Sequence, residues 1–168
     1  MMTEEEEKQS LLLWLFEEGS SCHPVNTMHY TEERTVRRVY ALGRAVSQVL
    51  RDHGVLFWST GGTTLGIVRH GGLIPWDDDL DISITEQDEE LFCSLATVFA
   101  ELGCALEKSN SYVWKIFHQT DSEEIEDKVV NYRYPFCDVF VMKWQKNKYV
   151  RRDRAGQSIW SNEFYSRE

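Results

Sequence analysis

Val36, Val39, Tyr40, Val46 and Leu50 recur every three or four positions, with Gly43 among them, which is the spacing of one face of a helix. Thr31 is the expected N-cap, Glu32 and Glu33 in the first turn suit the helix dipole, and Gly54 supplies the stop. Val55 to Trp58 is a short apolar run that predicts a buried strand, and Thr63 to His70 predicts a short helix closed by Gly71 and Gly72. Leu73 to Asp78 has the composition of a loop. The pattern then changes to strict alternation over Asp79 to Ile84, a second strand. A longer helix is predicted from Thr85, paired with Asp88 in a cap, with Leu91, Phe92, Leu95, Val98, Phe99 and Leu102 on one face and Gly103 at its end. Strands follow at Cys104 to Glu107, Tyr112 to His118, Phe136 to Trp144 and Tyr149 to Arg152, with turns at Ser109-Asn110 and Lys146-Asn147. Alternating strands and helices followed by several strands predict an α/β (α+β) fold, a mixed β-sheet with packed helices. Ahead of this, Leu11 to Glu18 predicts a short docking helix and Gly19 to Tyr30 a loop. The expected organisation is an extension over 1–30 and one domain over 31–168.

Composition narrows the function more than the fold. The 168 residues are 42% apolar and 12% aromatic, enough for one domain with a core of its own. A net charge of −10 argues against a nucleic-acid surface, which needs clustered Lys and Arg. It leaves room for a small phosphorylated ligand whose charge a bound cation offsets. The four cysteines form no C-x-x-C pair, and Cys93 and Cys137 sit in apolar patterns, so a reducing, cytoplasmic setting is expected; a Cys22–Cys104 bridge stays open. Leu11 to Phe16 is too short to cross a bilayer and follows an acidic leader, so neither a membrane span nor a signal peptide is predicted.

The chemistry concentrates in Asp77, Asp78, Asp79 and Asp81. Alternation puts Asp79 and Asp81 on one side of their strand, where two carboxylates can converge on a hard cation; oxygen ligands suit Mg²⁺ or Mn²⁺. Asp78 turns away, and Asp77 shares their parity but lies in the loop. A solvated acidic loop or a calcium site are the plain alternatives, and the run passes too soon into an apolar strand for an EF-hand. Asp138 shares a face with Phe136, Phe140 and Met142, so it needs a partner. It is either half of a buried salt bridge, or a third carboxylate that binds metal or takes a proton. In the second case mutual repulsion predicts that Asp138→Asn stabilises the metal-free protein. Gly61 and Gly62 before a helix opened by Thr63 and Thr64 offer amides, hydroxyls and a helix dipole to an anion. Arg69 is a candidate phosphate clamp, with His70 beside it, as against a solvated helix end. Lys115 is a weaker phosphate candidate and more simply an exposed strand residue. Trp76 either stacks on a base or sugar or packs on its own loop.

These residues resemble those of the LicD–fukutin family, a branch of the nucleotidyltransferase-fold superfamily. The superfamily pattern of Gly-Gly, a carboxylate pair spaced by one apolar residue, and a third carboxylate on a later strand is matched by Gly61-Gly62, Asp79-Leu80-Asp81 and Asp138. The family's own G-T-x-L-G-x-x-R-H and x-I-P-W-D-D-D-x-D-I are matched through Thr63, Leu65, Gly66, Arg69, His70, Ile74, Pro75, Trp76 and Asp77 to Ile82. Ile159 to Tyr165 also looks like family sequence. The resemblance implies Mg²⁺ or Mn²⁺ held by Asp79, Asp81 and Asp138. It also implies transfer of a phospho-alcohol, such as phosphocholine or ribitol phosphate, from a CDP-alcohol to a glycan hydroxyl. Family members usually continue beyond the Trp-x-Asn-Glu-Phe segment, often with a portion that completes the acceptor side, whereas this sequence stops at Glu168; a shortened chain, a fragment and a partial, inactive member are the three expectations. Some relatives work in the Golgi behind a membrane anchor; none is predicted in this sequence, and the Golgi lumen is expected only if an anchor lies outside it. The alternatives are transfer of a nucleoside monophosphate from a triphosphate, and a non-catalytic nucleotide-binding relative.

Overall fold

A computed structural model describes residues 29–124 and 132–152. The expected docking helix at Leu11 to Glu18, the loop before Tyr30, Cys22 and the Ile159 to Tyr165 segment lie outside these residues. The compact unit beginning at Thr31 opens with helix α1, Glu33–Asp52. Its Val39, Leu42, Val46, Val49 and Leu50 are buried, as the periodicity predicts, and Gly54 follows at a φ of 71°. The cap differs from expectation. Glu32 is the N-cap residue and makes no side-chain cap bond. Thr31 instead ties down the acidic loop: its N–H donates to the Pro75 carbonyl at 2.9 Å and its hydroxyl to the Asp77 carbonyl at 2.7 Å.

Strand β1 covers Phe57–Ser59 and helix α2 Gly61–His70, closed by Gly71 in the left-handed conformation. The helix thus starts at the glycine pair itself, two residues before the hydroxyls expected to open it. Strand β2 is Leu80–Thr85, so Asp79 stands at a bend just outside the strand predicted to hold it. The Thr85 hydroxyl accepts from the Asp88 N–H at 3.2 Å and bonds the Asp88 carboxylate at 2.8 Å, the expected cap. The single helix predicted after it is instead a 3₁₀ turn at Glu86–Asp88 and two short helices, α3 at Glu89–Ser94 and α4 at Ala96–Glu101. A Leu95 N–H to Phe92 carbonyl bond of 3.1 Å tightens the chain between them. Only Phe92, Leu95 and Phe99 of the predicted face are fully buried, while Leu91 and Leu102 are exposed.

The remaining strands are β3 (Cys104–Lys108), β4 (Val113–His118), the short β5 (Glu123–Glu124) and β6 (Arg133–Tyr134), β7 (Phe136–Gln145) and β8 (Lys148–Arg151). The main sheet runs β1-β2-β7-β4-β3, with β8 also paired to β7, and β5 pairs with β6 apart from it. The β2–β7 pair is parallel and the others antiparallel, a mixed sheet as predicted. Lys146 and Asn147 form the β7–β8 turn, both at positive φ.

Period-two alternation divides the sheet chemically. Ile82, Ile84, Cys137, Val139, Val141 and Ile116 face α1, α3 and α4 in the main core. Trp58, Val113, Phe140, Met142 and Tyr149 cluster on the other face, which also carries Asp81 and Asp138. Cys93, Cys104 and Cys137 are free thiols. Among the described residues no helix is long and apolar enough to cross a membrane.

Candidate active site

The parallel register aligns Asp81 with Asp138, and the bend before β2 adds Asp79. One carboxylate oxygen from each of Asp79, Asp81 and Asp138 lies within 4.8 Å of the others. Asp77, Asp78 and Asp79 form a second such group, so Asp79 belongs to both. Asp78 converges with Asp77 and Asp79 but is not part of the Asp79, Asp81 and Asp138 group. It is exposed, and its Oδ2 accepts from the Tyr134 hydroxyl at 3.0 Å.

The glycine pair makes the close approach possible. A Cβ on Gly61 would stand 2.6 Å from Asp81 Oδ2, and one on Gly62 would stand 2.7 Å from Asp77 Oδ2. Gly61 also has a φ of 53°, where a side chain is strained. Gly61→Ala should therefore cost about 1–3 kcal/mol and displace the Asp81 carboxylate. Urea denaturation measures the first effect and Mn²⁺ titration the second. The amides expected to meet an anion are already partly committed, since the Gly62 N–H bonds the Asp81 carboxylate. Thr63 acts in the same way, accepting the Asp81 N–H at 2.7 Å, while the Thr64 hydroxyl donates to Ser59 at 3.0 Å.

Burial and mutual repulsion raise the pKa of these acids. Asp79 is pushed up to about 7, by burial first and then by Asp81, Asp77 and Asp138. Asp81 rises to about 6 through burial and Asp138, against the lowering effect of the Gly62 bond and the Arg151 charge. Asp77 also rises, chiefly through burial. Asp138 rises through burial, but Lys115 and Arg151 oppose it. With Asp79 and Asp81 above their ordinary value of 3.8, the folded chain holds protons that the unfolded chain has released. Metal-free stability should fall as pH rises from about 4 to about 7, through the folded-state values. Asp79→Asn should melt higher than the parent at pH 8 and lose that advantage near pH 4. An advantage that grows on acidification would have the wrong sign for this cluster.

Lys115 is the main correction to the sequence reading. It is 6% exposed rather than a surface residue, and its Nζ lies 2.5 Å from Asp138 Oδ1. The ammonium also sits 3.5 Å from the centroid of the Phe136 ring and 4.4 Å from that of Tyr132. Asp138 is thus both half of a buried salt bridge and a member of the carboxylate cluster. Asp138→Asn would strand Lys115, so the apo-stabilising substitution is at Asp79 rather than at Asp138. The signal was present: Lys115 shares strand parity with Val113 and Phe117, both buried, where a lone charge needs a partner. Arg151 had no comparable signal, lying on the weakest predicted strand. Its guanidinium carbon is 4.0 Å from the Phe140 centroid, and its charge reaches both Asp81 and Asp138. Arg152, next to it, fixes β8 by an ion pair to Glu89 at 2.5 Å and a bond to the Ser111 carbonyl at 2.8 Å.

Arg69 and His70 lie on the last turn of α2, about 12 Å along the axis from Gly61 at 1.5 Å per residue. They are exposed, at the end of the helix opposite the glycine pair. His70 faces the half-exposed Trp76 edge-on, with centroids 6.2 Å apart.

This geometry coincides with a family signature. The profile described as LicD/FKTN/FKRP, nucleotidyltransferase domain, matches residues 54–166. The chain belongs to this family. A Rickettsia typhi protein is 37% identical over 81 residues, covering 48% of this chain and 26% of that one. The human ribitol 5-phosphate transferase FKRP is 41% identical over 59 residues, 35% of this chain and 12% of its own length. The Haemophilus influenzae lipopolysaccharide cholinephosphotransferase LicD is 47% identical over 32 residues, 19% of this chain and 12% of that one. The chain thus spans well under two thirds of these relatives. Among solved structures, the antibiotic-resistance factor ANT(2'')-Ia aligns at 14% identity with a TM-score of 0.46, over 73% of this chain and 60% of that one.

Proposed function

We propose that the chain transfers a phospho-alcohol, such as phosphocholine or ribitol phosphate, from a CDP-linked donor to a glycan hydroxyl, with a divalent cation at the carboxylate cluster. The observation that carries this reading is the convergence of Asp79, Asp81 and Asp138 beside the glycine pair at the start of α2. The chemistry of the donor set fits Mg²⁺ or Mn²⁺, being all oxygen with no nitrogen or sulfur. The raised Asp79 and Asp81 values support the fit, since bringing these acids together without a cation is uphill. Asp79, Asp81 and Asp138 would hold the ion, with Asp77 a further ligand. When bound, it supplies Lewis acidity that offsets charge on the diphosphate and on the departing CMP.

The chain's own groups do the rest. Arg151 faces the carboxylates as a second positive charge and holds a donor phosphate oxygen. Gly61 and Gly62 let the Asp81 and Asp77 carboxylates close on the start of α2, and Thr63 and Thr64 border the diphosphate. Trp76, His70 and Arg69, at the far end of α2, receive the nucleoside. Asp138 takes the proton of the acceptor hydroxyl, its basicity raised by burial and its position fixed by Lys115. The acceptor oxygen bonds to phosphorus as the bond from phosphorus to the CMP oxygen breaks, and the electron pair leaves with CMP.

The test is CMP release from CDP-choline and CDP-ribitol with a mixed glycan acceptor pool, with Mn²⁺ and with chelator. Metal-dependent release supports the reading. Diphosphate release from CTP instead would assign nucleotidyl transfer, and binding without release a non-catalytic relative. Arg151→Ala should weaken CDP-choline binding by about 1.5–3 kcal/mol, roughly ten- to a hundredfold. Arg69→Ala should weaken CDP-choline while leaving Mn²⁺ affinity in the absence of nucleotide unchanged.

A further inference from the structure

The sheet face that carries Asp81 and Asp138 does not end with them. Thr85 and Met142 lie on the same face, four residues further along their strands, which is about 13 Å at 3.3 Å per residue. A hollow of about 370 Å³ opens there, lined by Thr85, Glu86, Gln87, Met142, Trp144 and Tyr149, with Lys143 also on its wall. Its aromatic side is built in depth. Trp144 is 40% exposed and packs on Tyr149 at 4.8 Å between centroids, and Tyr149 packs on Trp58 at 4.9 Å. Register supports the stack, because Trp144 pairs with Tyr149 across the β7–β8 hairpin. The polar side carries Glu86, whose Oε2 is tucked in without a hydrogen-bond partner among the described residues and is reached by the Arg152 charge, which leaves the rest of the carboxylate for a ligand.

We propose that this hollow is an acceptor subsite that binds a sugar unit of the glycan, one or two residues removed from the reacting hydroxyl. The inference rests on the transferase reading for its place in the reaction. A sugar ring offers an apolar C–H face, which packs on an indole, and a rim of hydroxyls that donate to a carboxylate. A cavity of this size with an aromatic floor and a few polar groups suits such a ligand. A nucleobase fits less well. Cytosine's amino group can donate to a carboxylate as a sugar hydroxyl does, but the hollow lies about 13 Å along the strands from the cluster where its diphosphate belongs. Glu86 and Lys143 together give the wall no formal net charge, so it has no preference for a phosphate. The subsite also makes a chain of sugars a better acceptor than a single one.

The experiment uses lactose, maltose and cellobiose, with their methyl monosaccharide glycosides, in saturation-transfer NMR and tryptophan fluorescence on the whole chain, without metal or donor. At least one disaccharide should bind saturably and more tightly than its monosaccharide. Trp144→Ala and Glu86→Gln should each weaken it tenfold or more. Trp144→Phe, which keeps an aromatic floor, should retain most of the binding, and so should Glu90→Gln, which removes an exposed carboxylate elsewhere. Absence of binding by every sugar, binding indifferent to Trp144→Ala, or displacement of the sugar by CMP would each overturn the proposal. CDP-choline binding by the unaltered protein is measured separately, so failure of the donor reading and failure of the sugar subsite are told apart.

Discussion

Asp81→Asn should reduce metal-dependent CMP release from CDP-choline on the order of a hundredfold or more, the scale on which preorganised charge-stabilising groups act. Asp81 stands at the centre of the cluster, opposite Asp138 in the parallel register, with its carboxylate held by the Gly62 N–H and its own N–H held by Thr63. Asparagine preserves the shape and most of these bonds but removes the charge a cation needs. Loss of activity should therefore come without loss of fold. Asp79→Asn should act in the same direction. Asp78→Asn should change the rate little, because Asp78 is exposed and bonded to Tyr134. Steady-state rates with Mn²⁺ on the parent and the three variants check this. Equal losses at Asp78 and Asp81 would contradict the geometry of the cluster.

Lys115→Met should destabilise the protein by about 3–5 kcal/mol, the usual cost of removing one partner from a buried ion pair. Methionine keeps the apolar stem of lysine and loses only the ammonium, which holds Asp138 and lies over the Phe136 and Tyr132 rings. The double variant Lys115→Met, Asp138→Asn should recover much of the loss, since neither charge is then left alone. Denaturant unfolding of the four members of this cycle gives the coupling directly. Additive losses would mean that the pair is not formed in solution.

The sequence made the fold legible wherever local periodicity and final packing agreed. Helix α1 shows 3.6-residue spacing because one face meets the sheet. Strands β2 and β7 alternate because one face meets the helices and the other the site. Expectation and structure part where a long-range contact or a local tightening of the chain overrides the simple pattern. Thr31 has the chemistry of an N-cap, yet its hydroxyl serves the Asp77 carbonyl. The Leu91 to Leu102 pattern reads as one helix, yet the chain tightens at Leu95. At the site, Asp79, Asp81, Asp138 and the glycine pair were legible because spacing and parity carry them. Lys115 could have been read from its buried neighbours on β4. Arg151 and the Trp144 hollow were legible only in part: the Lys146-Asn147 turn sets Tyr149 opposite Trp144 and Arg151 opposite Met142, but which strands lie on the other side of β7 is not written in any short segment.

The most direct measurement is calorimetric titration of the whole chain with CDP-choline and with CMP, each with and without Mg²⁺, on the parent and on Asp81→Asn. CDP-choline should bind tightly only with Mg²⁺, CMP should bind more weakly because it lacks the second phosphate, and Asp81→Asn should abolish the metal dependence. Equal affinity for CDP-choline and CMP, unchanged by Mg²⁺ and by the loss of Asp81, would contradict a cation held by the carboxylates against the donor diphosphate.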